Sequence, residues 1–298
     1  MCRTTKWFTP LQEDVVDDRE IELMDLLGLQ ALLICALIFV PLEHILALRP
    51  QQKTFRKGLG TDVIYALVNG AFLKICIFLM AASAMYASAS LVPARVTMAV
   101  SGQATWLQVT EIIILADLGV YASHRAFHAI PALWRFHAIH HGIEELDWMA
   151  AFRAHPVDQI ITKAVSLLPV FFLGFSLESI AAYFIIATGH ALLLHANVRM
   201  NFGPLKWVIA SPQFHHWHHA DQRDAYDKNF ASHLAIIDAL FGTFHVPGSR
   251  MPEKYGVDES IPTDYVGQHG YPFVRRTQQG RNTGDAAIKP TPEEVARG

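Results

Sequence analysis

Apolar residues along this chain fall in long runs rather than in the short alternations that mark strands. The first extends from Leu26 to Leu48, interrupted only by Gln30, Pro41, Glu43 and His44. At about 1.5 Å per residue it can cross the roughly 30 Å of a bilayer's hydrocarbon. Val63 to Met85 forms a second run, in which Lys74 must face other helices or snorkel, because facing lipid would cost about 2.5 to 3.5 kcal/mol. Trp106 to Ala122 reads as a third crossing, amphipathic through Glu111 and Asp117. Two shorter runs, Ala164 to Phe175 and Ile180 to Leu194, are separated by Leu177, Glu178 and Ser179, and Pro169 interrupts the first. They predict a helical hairpin that either crosses or dips partway as a re-entrant pair. The fold class expected is therefore all-α, an integral membrane helical bundle of about four transmembrane or re-entrant helices.

Polar stretches set the remaining boundaries. A polar N-terminal segment, 1–22, carries Glu13, Asp14, Asp17, Asp18 and Glu20, the wrong charge for a secretory signal, so no cleaved targeting peptide is expected. A single membrane-embedded domain covers 23–247, with a histidine-rich core at 117–245. The polar tail 248–298 is expected to be disordered from about residue 278. Arg49, Lys53, Arg56 and Lys57 crowd the loop after the first run, whereas the loop 87–105 holds only Arg95, so the former is expected in the cytoplasm. If the third run returns to that side, 123–157 is cytoplasmic, and a crossing hairpin brings 195–245 back to the same face.

Composition supports a membrane setting, with 52% hydrophobic residues and a mean hydropathy of +0.24. A formal net charge of −3 and the lack of any basic run leave no field for a nucleic-acid backbone, so nucleic acid is not an expected partner. Cys2, Cys35 and Cys76 lie far apart and can build neither a disulfide framework nor a CxxC metal site. Of the 16 histidines, all but His44 and His269 lie between His124 and His245.

Three histidine clusters have helical spacing: HRAFH at 124–128, HAIHH at 137–141 and HHWHH at 215–219. Positions three and four apart share a helix face, so each cluster aims two or three imidazoles at one point. A single histidine on an apolar helix is ordinarily a hydrogen-bonded core residue. So many beside a bilayer would leave ring nitrogens to satisfy, at about 1 to 3 kcal/mol each if unpaired. A transition metal answers that need, since neutral imidazole donates to it while the other ring N–H bonds a carboxylate or carbonyl. His124, His128, His137, His140, His141, His195, His215, His218 and His219 give nine donors, and His190 a tenth. One metal takes about four to six ligands, so the arithmetic predicts two metals. His190 and His195 are five apart, and both can be ligands only if the helix ends or bulges there. Asp117, on about the same face as His124, together with Asp227, Asn229 and Asp238, are candidates to orient ligands, whereas Asp221 and Asp224 read as surface charges. His44, His155, His216, His233, His245 and His269 read as structural.

With these motifs in order, the chain resembles the fatty acid hydroxylase/sterol desaturase superfamily of membrane di-iron proteins. Supporting segments are Arg153-Ala-His155-Pro156, Ser211-Pro212, Asp227-Lys-Asn229-Phe230 and Asp238-Ala-Leu-Phe241-Gly242-Thr243, and the likeness covers roughly 110–245. The gap between His190 and His195 departs from it, being longer than the spacing such proteins often show. The resemblance implies two non-haem iron ions at the cytoplasmic membrane face and dioxygen as co-substrate. It implies a lipid substrate entering from the bilayer, and hydroxylation of an unactivated C–H or, on the same scaffold, desaturation. Since the chain carries no recognisable haem-binding domain, a separate electron donor of cytochrome or ferredoxin type, with its reductase, is expected. Rival readings from other classes are a metal transporter, disfavoured because the clusters lie beyond the apolar runs, and a membrane zinc hydrolase, disfavoured because no HExxH occurs. A bis-histidine haem protein is a third.

Overall fold

The computed structural model describes residues 18–274, with side chains from residue 28. Among these residues no strand forms, and only two isolated bridges occur, Ala47 with Val198 and Ala220 with Tyr255. The helices are α1 (Asp18–Ile45), α2 (Leu59–Ile64), α3 (Gly70–Leu91), α4 (Ala94–Ser101), α5 (Thr105–Ala129), α6 (Pro131–His141), α7 (Pro156–Leu173), α8 (Leu177–His195), α9 (Pro212–His218), α10 (Ala235–Phe241) and α11 (Tyr265–Gly270). A π turn, Tyr65–Asn69, joins α2 to α3, so that Leu59–Leu91 runs as one rod.

Among the described residues, five helical segments are long and apolar enough to cross a membrane: Gly28–Ile45, Leu59–Leu91, Thr105–Ala129, Pro156–Leu173 and Leu177–His195. Leu33, Leu37, Phe78, Leu79 and Ile185 lie exposed on their outer faces, as expected of surfaces that meet lipid rather than water. On the inside, Ala84 of α3, Ile112 and Ala116 of α5, Leu167, Val170 and Phe171 of α7, and Ile180 and Tyr183 of α8 pack into one core. Gly119 of α5 makes the closest approach: a Cβ there would lie 2.6 Å from Ser166 Cα of α7.

The hairpin expected at 164–194 is longer than the apolar runs suggested, and its first arm is unbroken. α7 continues through Pro169 because packing on α3 and α5 outweighs one lost backbone hydrogen bond. It begins at Pro156, where the fixed φ of proline suits the first helical position. At roughly 27 Å for its 18 residues it matches the hydrocarbon thickness. Gly174, at φ +80°, ends α7, and the Ser176 side chain caps α8 by accepting from the Ser179 amide.

Residues 248–274 lie folded against the face that carries the histidines. The Tyr255 hydroxyl meets His216 Nδ1 at 2.7 Å, Arg49 donates to the Glu253 carbonyl at 2.8 Å, and the Tyr265 hydroxyl donates to Asn69 Oδ1 at 2.7 Å. The segment expected to be disordered from about 278 lies outside the described residues, as does most of the polar stretch 1–22.

Candidate metal centre

Helix breakers deliver the histidines to one place. Ile130 is extended and Pro131 opens α6, so the chain turns sharply between His128 and His137. Ser211 caps α9 by accepting from the Phe214 amide, and Pro212 starts that helix three residues before His215. α8 ends at His195. Nine of the ten histidines singled out from the sequence come together in two groups: His124, His128, His137, His141 and His218, then His140, His195, His215 and His219. Within each group the candidate ligand atoms lie within 4.8 Å of one another. The groups adjoin, with the His141 and His219 rings 4.7 Å apart. His190 is not brought to either group; its Nε2 lies 2.9 Å from the Ala210 carbonyl and its Nδ1 2.9 Å from His233 Nδ1. An unbroken helix turns it away from His195, five residues on.

Six of the nine histidines have Nδ1 tied to an acceptor, whereas Nδ1 of His215 and of His219 is buried without a partner. His124 Nδ1 donates to the Phe230 carbonyl at 2.7 Å, His140 Nδ1 to Arg153 at 2.9 Å, His195 Nδ1 to Ala191 at 2.8 Å and His218 Nδ1 to Lys228 at 2.8 Å. His137 Nδ1 meets the Asp158 carboxylate at 2.6 Å, and His128 Nδ1 meets Asp227 at 3.3 Å. Each of these partners only accepts, so the proton sits on Nδ1 and Nε2 is left as a bare lone pair.

Those Nε2 atoms face one another. His124 and His137 are 2.9 Å apart at Nε2, His137 and His141 3.1 Å, His195 and His215 2.9 Å, His215 and His219 3.1 Å, and His140 and His195 3.3 Å. His128 Nε2 and His218 Nε2 are buried without a partner. Opposed lone pairs repel unless a cation or proton lies among them. Protonation is disfavoured: burial, then neighbouring imidazoles, push His137, His141, His215 and His219 well below the ordinary histidine range, and burial holds His140 at about 4. Two sets of convergent, neutral, nitrogen-only donors fit two transition-metal ions.

The polar residues expected to orient ligands act mostly through the backbone. Asp227 alone among them touches a clustered histidine. Asp117 accepts from the Ser232, His233 and Leu234 amides at 2.7, 3.0 and 2.6 Å. Asp238 accepts from the Phe230 and Ala231 amides, both at 2.8 Å, and from the Thr243 hydroxyl at 2.6 Å. Asn229 donates to the Phe214 and His245 carbonyls at 2.8 Å each. Asp227 and Asn229 adopt φ of 57° and 60°, left-handed conformations that Asp and Asn tolerate. Together they shape the loop whose Lys228 and Phe230 carbonyls hold His218 and His124.

Asp158, the closest carboxylate partner of the site, was missed by sequence reasoning. Its signal was its isolation as the only acidic residue in 156–173. Arg153 is anchored from outside: its Nε donates to Asp62 at 2.5 Å, and Arg56 joins Asp62 at 2.6 Å to Asp147 at 2.5 Å. Trp134 packs its indole against His128 and His141, with ring centroids 5.1 and 5.4 Å away.

Comparison with known proteins agrees with this arrangement. Ornithine lipid hydroxylase OlsE of Rhizobium tropici is 28% identical over 235 residues, covering 77% of this chain and 71% of that protein. Alkylglycerol monooxygenase of Homo sapiens is 32% identical over 148 residues, covering 49% of this chain but 32% of that protein. Very-long-chain aldehyde decarbonylase GL1-1 of Oryza sativa subsp. indica is 27% identical over 183 residues, covering 53% of this chain and 28% of that protein. The chain therefore spans about a third of the length of the latter two. No solved structure matches it. Residues 109–243, which include every histidine of the two groups, match the family model described as fatty acid hydroxylase.

Proposed function

We propose that this protein is a membrane-bound di-iron oxygenase that hydroxylates an unactivated C–H bond of a lipid drawn from the bilayer. The observation that carries this reading is the convergence of nine imidazole Nε2 atoms, in two adjoining groups, where the apolar helices end. One iron would be held by His124, His128, His137, His141 and His218, the other by His140, His195, His215 and His219. When bound, the iron pair supplies reductive activation of dioxygen and the oxidising power needed to break a C–H bond. Hydroxylation rather than desaturation is favoured by the relatives whose names are hydroxylase and monooxygenase.

The chain's own contribution is positioning and exclusion of water. Carbonyls of Arg153, Ala191, Lys228 and Phe230 fix the tautomers and ring planes of four histidines, so the lone pairs stay aimed inward. Asp158 raises the donor strength of His137 by accepting its Nδ1 proton. Phe127, Phe230 and Trp134 pack against the imidazoles and keep bulk water from them. The bare apolar faces of α5, α7 and α8 give a lipid chain a way to approach without leaving hydrocarbon.

Loop 49–57 shares the metal face, since Gln52 donates to the Leu146 carbonyl at 2.8 Å and Arg49 to Glu253. Its positive charge supports a cytoplasmic location for the centre, where a separate cytochrome- or ferredoxin-type donor would deliver electrons. The test is comparative lipidomics of cells with and without the protein under isotopically heavy dioxygen. A lipid that gains one heavy oxygen atom only when the protein is present, and not in a His137→Ala/His218→Ala double variant, supports the reading. Loss of two hydrogens without oxygen would show a desaturase, and no oxygen-dependent lipid at all would overturn the oxygenase.

A further inference from the structure

Helix α10 and the segment before α9 are built inside out. The residues that α10 turns outward, Ile236, Ala239, Leu240 and Phe241, are all apolar, while its one carboxylate, Asp238, is fully buried. Leu240 is as exposed as Ile185 on the outer face of α8, 77% against 76%. Residues 203–209 repeat the pattern, with Leu205, Trp207 and Val208 outward. A helix that faces water shows the opposite arrangement. The two pieces are joined to each other. The Ala210 amide donates to the His233 carbonyl at 2.9 Å and the Ile236 amide to the Val208 carbonyl at 3.4 Å, and Trp207 stacks on Phe244 with ring centroids 4.4 Å apart.

Both pieces lie alongside the crossing helices rather than beyond their ends. Asp117 of α5, which accepts from the amides of Ser232, His233 and Leu234, lies eight residues, about 12 Å of helix, before Arg125, the first exposed charge toward the metal end. On α8 the Ala210 carbonyl meets His190, five residues or roughly 8 Å before the helix ends at His195. Phe241 stacks on Tyr121, centroids 5.0 Å apart, three residues after the exposed Leu118, so the apolar face of α10 adjoins that of α5. Backbone bonding meets the demand of such a depth. From Phe230 to Leu234, outside any helix, five successive amides donate to two buried carboxylates, Asp238 and Asp117. Water would satisfy these amides on a wet surface, whereas hydrocarbon offers them no acceptor.

We propose that residues 203–210 and 230–241 form a re-entrant unit, inserted from the metal side into the adjoining leaflet, whose Leu205, Trp207, Val208, Ile236, Leu240 and Phe241 contact lipid acyl chains. The unit enters and leaves on one face and so adds no crossing. Lys206, half-buried with Nζ 5.9 Å from the Trp207 ring centroid, marks the headgroup rim, where Trp and snorkelling Lys are enriched. Asp238 fixes the amide of Phe230, whose carbonyl holds His124, so the leaflet forms the outer wall of a support of the first metal group. The inference concerns contact with the bilayer alone and goes beyond the oxygenase reading, on which it does not depend.

The test places a nitroxide at Leu240→Cys, in a background lacking Cys2, Cys35 and Cys76, in metal-loaded protein reconstituted into vesicles of palmitoyl-oleoyl phosphatidylcholine. Collisions with oxygen, which concentrates in hydrocarbon, are compared with those of a water-soluble nickel chelate. The Leu240 label is expected to favour oxygen, at a depth of about 5 to 10 Å below the headgroups. Ile185→Cys should report a greater depth, and the exposed Asp258→Cys should favour nickel. A Leu240 label that favours nickel as Asp258 does would make this a water-facing surface and overturn the proposal. A label shielded from both agents would assign the face to a second copy of the chain or another protein, and overturn it equally. On the unaltered protein in the same vesicles, a carbene generated among the acyl chains should mark 203–209 and 235–241 as well as 177–195; marking of 177–195 alone would contradict the unit. An Ile185 label that favours nickel would sink the spanning bundle and the re-entrant unit together, while leaving the metal content to be judged on its own.

Discussion

His137 keeps its proton on Nδ1 because Asp158 accepts it at 2.6 Å, and this frees Nε2 for a metal. Asp158→Asn should therefore weaken metal binding at the first group by about 10- to 100-fold while the second group is retained, as chelator competition would read. Unchanged affinity would mean that the carboxylate only packs there. His190→Phe should leave metal content intact, because both nitrogens of His190 are engaged away from the groups; loss of metal would return His190 to the ligand set. Acid sensitivity has a definite sign. Burial leads in holding His140, His155 and His216 at about 4, against about 6.5 in an unfolded chain. Between those values the unfolded chain binds protons that the folded one does not, so stability is full above about pH 6.5 and is lost as pH falls toward 4. Thermal melts of metal-free protein across that interval check it, and a flat profile would contradict it. The convergence of the imidazoles could be read from sequence because helical spacing converts directly into a shared face. Asp158 and the carbonyls of Arg153, Lys228 and Phe230 could not, since a backbone acceptor leaves no trace in residue type and Asp158 belongs to a different helix.

Helices α5 and α7 approach closely because Gly119 has no side chain to meet Ser166. Gly119→Ala should force the pair apart and cost about 1 to 3 kcal/mol of stability. Gly189 of α8 faces open space, so Gly189→Ala should be neutral or stabilising by about 0.5 to 1 kcal/mol. Thermal unfolding of the two variants side by side distinguishes a packing effect from a propensity effect, and equal shifts would contradict the close approach. The apolar runs disclosed that these helices exist but understated their lengths. α5 extends to Ala129 and α7 begins at Pro156, well outside the runs at 106–122 and 164–175, because their ends carry His124, His128 and Asp158. Residues that serve the metal centre are polar, and a search for apolar continuity stops at them.

Seen as a whole, the molecule gathers its chemistry at one end of a membrane bundle, and a buried charge network ties the positive loop to that end. Arg56 bonds both Asp62 and Asp147, and Asp62 bonds Arg153, whose carbonyl holds His140. The basic loop is thus a structural support of the second group, a link that no local pattern could disclose because it joins residues 91 apart. Orientation can be tested with single cysteines in a background lacking Cys2, Cys35 and Cys76. Asp258→Cys should react with an impermeant maleimide only from the cytoplasmic side, and Ser101→Cys only from the opposite side. The reverse pattern would place the metal centre outside the cytoplasm.

Metal content per chain, in detergent-purified protein, bears most directly on the central claim. The unaltered protein should carry two irons, His137→Ala should lose the one held by the first group, and His215→Ala the one held by the second. A single zinc per chain, or metal that is indifferent to both substitutions, would contradict the di-iron account.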